Sequence, residues 1–186
     1  MEKHDHSHDH DHSHRLGRGH GDQKEGAGLV ASVITVSDRS ARGERADASG
    51  PRAVELLTEA GYEVRAVVVP DGRESVGGAL AAAVAAGADV VITSGGTGVG
   101  PRDLTPEGTV PLIERELPGV AELLRREGAS HTPMAVISRG VVGVTGGERP
   151  ALIANLPGSI AAVEQGLAVL LPIVPHIVDQ LRGGDH

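Results

Sequence analysis

Residues 88–107, ADVVITSGGTGVGPRDLTPE, hold the pattern on which the fold turns. An apolar run of strand length, residues 88–94, passes straight into a Gly-rich loop. Thr105-Pro106-Glu107 then reads as a helix start, with Thr105 as the cap, Pro106 at the first position and Glu107 in the first turn. A short strand without polar alternation is buried on both faces, which is the habit of a parallel sheet covered by helices.

The segments on either side repeat the theme. Upstream, an Ala-rich helix over 73–87 stops at Gly87, and YEVRAVVV (62–69) is a strand ending at Pro70. A helix starting at Ser49 or Gly50 carries Pro51 in its first turn and apolar Val54, Leu57 and Ala60, and stops at Gly61. LVASVITVS (29–37) is a buried strand followed by a polar, Gly-containing loop. Together these segments read β-α-β-α-β, the mark of an α/β fold with a mostly parallel sheet. Downstream, the helix from Thr105 is interrupted at Pro118 and resumes through VAELLRREG, and a short helical turn follows over 132–139. Strands at 141–145 and 151–155 flank a Gly-Gly-Glu-Arg-Pro turn; a helix then starts near Ser159 and a shorter apolar one follows Pro172.

The expected organisation is a disordered tail over 1–28, one domain over 29–182 and a short tail over 183–186. Of 186 residues, 23% are charged and 39% hydrophobic, enough for a real core. That core has one Tyr and neither Phe nor Trp, so Val, Leu, Ile and Ala must fill it. The lack of cysteine excludes disulfides, thiolate nucleophiles and Cys-ligated metals, and is compatible with a cytoplasmic protein. No run of 18 apolar residues exists and no apolar leader is visible, so neither a membrane span nor a secretory signal is expected. The net charge of −8 argues against nucleic-acid binding. Both lysines, Lys3 and Lys24, fall in the tail. The folded part therefore offers no Schiff base and no Walker-type lysine, and any phosphate must be held by arginine, backbone N–H groups or a metal ion.

Ligands of open α/β sheets bind beyond the carboxyl ends of the strands. Those ends are Ser37-Asp38-Arg39, Pro70-Asp71-Gly72 and Ser94-Gly95-Gly96-Thr97-Gly98, with Arg102 and Asp103 a few residues beyond the last. Carboxylates and a Gly-rich loop meeting in one crevice suit a metal–nucleotide site. The backbone presents N–H groups to phosphate oxygens, the carboxylates suit Mg²⁺, and Arg39 and Arg102 add positive charge. Taken alone, each feature is as readily a tight turn or a helix cap, and His131 and His176 read as structural; the convergence carries the reading.

The run Thr93-Ser94-Gly95-Gly96-Thr97-Gly98, continued by Pro101-Arg102-Asp103-Leu104-Thr105-Pro106-Glu107, resembles the molybdopterin-binding family of molybdenum-cofactor biosynthesis. That family includes bacterial molybdopterin adenylyltransferases and the G domain of gephyrin. Ser37-Asp38, Asp47-x-Ser49-Gly50-Pro51, Pro70-Asp71 and Asn155-Leu156-Pro157-Gly158-Ser159 match in order, so the resemblance covers about residues 29–182. It implies a three-layer α/β sandwich, assembled as a homotrimer or a hexamer. It implies adenylylation of the terminal phosphate of molybdopterin by Mg²⁺-ATP, with release of pyrophosphate, in preparation for molybdenum insertion and a molybdenum-inserting enzyme. Asp71 and Asp103 fall on the family's catalytic, Mg²⁺-holding aspartates. Ser37, Asp38, Ser94, Gly95, Gly96, Thr97, Gly98, Arg102, Thr105, Glu107, Asn155, Pro157, Gly158 and Ser159 fall on its substrate-binding segments. Gly108 departs from an Ala-like helix former, which should loosen that helix, and Ile160 stands where Pro is common. A non-catalytic molybdopterin-binding protein is the alternative within the family.

Two further expectations concern the ends of the chain. His4, His6, His8, His10, His12 and His14, with His20 beyond, suit a transition metal. The apolar C-terminal run LLPIVPHIV (170–178) is the expected self-association contact.

Overall fold

The computed structural model describes residues 25–184; the histidine-rich segment lies outside the described residues. Six strands form one sheet in the order β2-β1-β3-β6-β5-β4. They are β1 (Val30–Val36), β2 (Glu63–Val69), β3 (Val90–Ser94), β4 (Ile113–Glu116), β5 (Val142–Thr145) and β6 (Leu152–Leu156). The pairs β2·β1, β1·β3 and β3·β6 are parallel, whereas the pairs β6·β5 and β5·β4 are antiparallel, so β5 alone runs against the rest. The helices are α1 (Asp38–Ala41), α2 (Ser49–Glu59), α3 (Arg73–Ala85), α4 (Thr105–Thr109), α5 (Pro118–His131), α6 (Ile160–Leu170) and α7 (Val174–Leu181).

Strand alternation sorts the core into two aliphatic layers. Ala31, Val33, Val90, Ile92, Leu152 and Ala154 face α2, α5, α6 and α7, meeting Ala53, Leu57, Ala121, Val163, Leu167, Leu170, Val174 and Val178. Ile34, Val36, Val91 and Ile153 face the other way, onto Val76 and Leu80 of α3. The three-layer α/β sandwich is thus the observed architecture. Among the described residues no single helix is long and apolar enough to cross a membrane. The bent pair α6–α7 passes such a test by length and composition, but its apolar faces are spent on the core.

Several expectations change. The strand expected over 62–69 forms as β2, at the edge of the sheet: it pairs only with β1, and Val67 and Val68 are 46% and 40% exposed. An apolar run does not reveal whether pairing places it at an edge. Residues 113–116, read as helix, form β4: Pro111 has no N–H to continue α4, and the segment instead pairs with the open side of β5. Thr105 is the first helical residue and not the cap; its hydroxyl donates to the Gly95 carbonyl at 2.8 Å. Gly108 does not loosen its helix without return. A Cβ there would stand 2.8 Å from the Arg73 carbonyl, so the glycine lets α4 lie against α3.

Contacts of the fold reach a little beyond residues 29–182: buried Gly26 donates to the Ala60 carbonyl at 2.9 Å, and Gly184 donates to the Asp179 carbonyl at 2.9 Å. The run 170–178 is occupied within its own chain: Leu170, Val174 and Val178 are buried in the core.

Candidate functional site

Strand order reverses at β1 and β3, whose chain neighbours diverge to opposite sides of the sheet, and this is where an open α/β sheet leaves a crevice. The crevice here is a cleft of about 870 Å³ at the carboxyl ends of β1, β3 and β6. Its floor depends on glycine. Gly95 (φ 113°) and Gly96 (φ 63°) adopt a left-handed backbone, and Cβ atoms on them would lie 2.3 Å from the Val36 carbonyl and 2.4 Å from the Thr105 hydroxyl. The loop can therefore press against β1 and α4 and turn outward.

The N–H of Gly95 closes onto the Leu156 carbonyl at 2.9 Å, whereas those of Gly96, Thr97 and Gly98 donate to nothing among the described residues. Successive unpaired amides in a turn form an anion-binding nest. Around it lie Ser37, Ser94, Asp103, Asn155, Pro157, Gly158 and Ser159, so much of the expected substrate segment does converge. Ser94 reaches the Ser49 hydroxyl at 3.0 Å, and Ser159 caps α6 by accepting from Ala162 at 3.1 Å. Asn155 is buried with its amide committed to Thr93, Thr109 and Val141, so it fixes the cleft wall from inside.

The remaining expected residues lie behind the lining or beside it. Arg102 grips Asp38 through two bonds, at 2.9 and 3.1 Å, and donates to the Asp71 carbonyl at 2.8 Å. That guanidinium holds the Asp38 carboxyl below its usual range. Asp71 accepts from the Asp38 N–H at 2.8 Å, and Asp38 accepts from the Asp71 N–H at 3.1 Å. The loops bearing Asp71 and Asp103 are therefore stitched together by the residue preceding Asp103. Each of these two aspartates gives one oxygen to a backbone N–H, that of Asp38 or of Gly100 (2.9 Å), and leaves the other without a hydrogen bond among the described residues. Thr105 and Glu107 sit under the loop. Arg39 does not line the cleft.

Sequence reasoning missed Arg139 and Arg45. Arg139 donates to the Gly98 carbonyl at 2.7 Å, to the Asp103 carbonyl and to Glu107, while its own N–H bonds the Thr97 carbonyl at 2.8 Å. It staples both ends of the Gly-rich loop, and its hydrogen bond to Glu107 holds that carboxyl below the ordinary 4.5. No local motif marks it, because its partners lie 32 to 42 residues away. Asp47 also gains a role: it accepts from Thr35 at 2.7 Å and from the Gly50 N–H at 3.0 Å, fixing the start of α2.

Fold and cleft together define an open α/β domain with a row of unpaired backbone N–H groups in a Gly-rich loop at its switch point. A family model described as a probable molybdopterin binding domain matches residues 32–176. The chain is 42% identical over 152 residues to the molybdopterin adenylyltransferase of Pyrococcus furiosus, covering 81% of this chain and 89% of that one. It is 41% identical to a molybdenum cofactor biosynthesis bifunctional protein of Synechococcus elongatus over 86% of this chain, and spans about half (50%) of that longer relative. In structure it matches the tungsten cofactor synthesizing protein MoaB of P. furiosus with TM-score 0.78 at 40% identity, covering 83% of this chain and 97% of that one. It matches a molybdopterin biosynthesis protein from Mycobacterium abscessus with TM-score 0.77 at 44% identity, with the same coverage of 83% and 97%. The chain belongs to the molybdopterin-binding family of molybdenum-cofactor biosynthesis.

Proposed function

We propose that this protein transfers an adenylyl group from ATP to the terminal phosphate of molybdopterin. The observation that carries this reading is the row of unpaired N–H groups at Gly96, Thr97 and Gly98 in the cleft that the half-used Asp103 also lines, with Asp71 joined to the same loop through Arg102. The names of its relatives point the same way. A phosphate monoester is ionised at neutral pH and needs no general base; positioning and charge neutralisation supply the rate. The nest holds phosphate oxygens, an oxygen of the molybdopterin phosphate attacks the α-phosphorus of ATP, and pyrophosphate leaves.

The free oxygens of Asp71 and Asp103 suit Mg²⁺. Among the described residues no group of three or more His, Asp or Glu side chains is arranged to enclose a cation, so further ligands would come from phosphate and water. Such an ion would neutralise charge building on the phosphates. The protein acts as a self-assembled oligomer, a trimer or hexamer, and hands its product to a molybdenum-inserting enzyme. The histidine-rich segment of residues 1–28 is a transition-metal-binding appendage outside the catalytic site.

The test incubates purified protein with molybdopterin, ATP and Mg²⁺. Pyrophosphate and adenylylated molybdopterin should form in equal amounts. Molybdopterin binding without pyrophosphate would leave the non-catalytic alternative.

A further inference from the structure

We propose that Arg45 clamps a substrate phosphate in the cleft; the inference rests on reading the cleft as a phosphate-handling site. With Lys3 and Lys24 as the only lysines, every cation of the described domain is arginine or histidine. The charged residues lining the cleft are Arg45, Asp47, Asp103 and Arg125, with His131 beside them. Arg125 donates to the Gly140 carbonyl at 3.1 Å, and His131 contacts Glu127 at 3.2 Å. Nearby, Arg102 and Arg139 are held in ion pairs by Asp38 and Glu107. Of the arginines lining the cleft, only Arg45 has no side-chain partner among the described residues.

Its backbone is anchored while its head is free. The N–H groups of Glu44 and Arg45 both donate to the Arg39 carbonyl, at 2.9 and 3.3 Å. Two residues on, Asp47 is bonded to Thr35 and Gly50. This places the root of Arg45 on the wall that carries Ser37, Ser40 and Ser49, all lining the same cleft. A guanidinium offers a planar fork that matches two phosphate oxygens, and it stays charged throughout the working pH range. In a chain of net charge −8, an unpaired cation here also offsets the repulsion a polyanionic ligand would otherwise meet.

The ligand chemistry is an ionised phosphate, which both molybdopterin and ATP carry. The experiment titrates the full-length protein with each compound separately, at low and moderate salt, for wild type, Arg45→Ala, Arg45→Lys and Arg126→Ala. Arg126 is exposed on α5 and does not line the cleft, so it controls for the loss of one charge. Arg45→Ala should weaken at least one ligand by about tenfold or more and flatten its salt dependence. Arg45→Lys should recover part of the loss, and Arg126→Ala should bind as wild type does. The ligand that loses affinity identifies the phosphate. Unchanged affinity for both compounds in Arg45→Ala, or an equal loss in Arg126→Ala, overturns the assignment with the cleft reading intact. A wild-type protein that binds neither compound overturns both.

Discussion

The two ends of the sheet treat their carboxylates differently. At the amino-terminal edge, Asp89 is buried and saturated: Oδ2 accepts from the Val30 N–H at 2.9 Å, and Oδ1 accepts from Arg182 at 2.8 Å with Arg149 at 3.8 Å. At the opposite edge, Asp71 and Asp103 each spend one oxygen on a loop N–H and keep the other. A saturated carboxylate fastens chain segments together; a half-used one, beside unpaired amides, is available to a ligand. On the proposed function, that difference separates a structural aspartate from a functional one where residue type alone cannot.

Removing charge at the functional edge should have the largest effect. Asp71→Asn keeps an oxygen that can accept from the Asp38 N–H, so the fold should survive, while adenylyl transfer should fall about 100-fold or more. Steady-state pyrophosphate release and thermal melting, measured together, check both halves. Loss of turnover with an equal loss of folded protein would erase the contrast between the two edges.

The structural edge should give the mirror result. Asp89→Ala strips the partner from a buried N–H and from Arg182, and should destabilise the fold by roughly 2–4 kcal/mol in urea titration. Turnover per folded molecule should stay near wild type.

A smaller, pH-dependent effect should come from the Arg139–Glu107 staple. Because the Glu107 pKa is lowered in the fold, the stabilisation is fully present above the unfolded value near 4.5 and is lost as pH falls through the lower folded value. Amide exchange in the Gly-rich loop should accelerate over that acidic window in wild type, and Glu107→Gln should show faster exchange already at neutral pH with little further change. The smallest effect belongs to the histidine-rich segment. Deleting residues 1–24 should leave stability within about 0.5 kcal/mol and turnover unchanged, while transition-metal binding, read by calorimetry, disappears.

Much of this was legible from residue order. Unbroken runs such as VVITS mark central strands because burial on both faces demands apolar residues throughout. Loop positions at strand ends follow from parallel topology, so Ser37, Asp71 and the Gly-rich loop could be placed on one edge in advance. What escaped depends on long-range partners. β4 exists because β5 has an open side, and β2 lies at an edge because of strand order; neither is written in IERE or EVRAVVV. Arg102 looked available to phosphate but is bound to Asp38, whereas Arg45, in an ordinary polar loop, lines the cleft without a side-chain partner among the described residues. Side-chain pairing across many residues decides such cases, and spacing does not encode it.

The central claim is that the half-used aspartates serve the reaction and not the fold. Asp103→Asn tests it most directly, with molybdopterin affinity and adenylyl transfer measured on the same preparation. The account predicts affinity within a few-fold of wild type and turnover reduced about 100-fold or more. Turnover near wild type in a folded Asp103→Asn protein would contradict it.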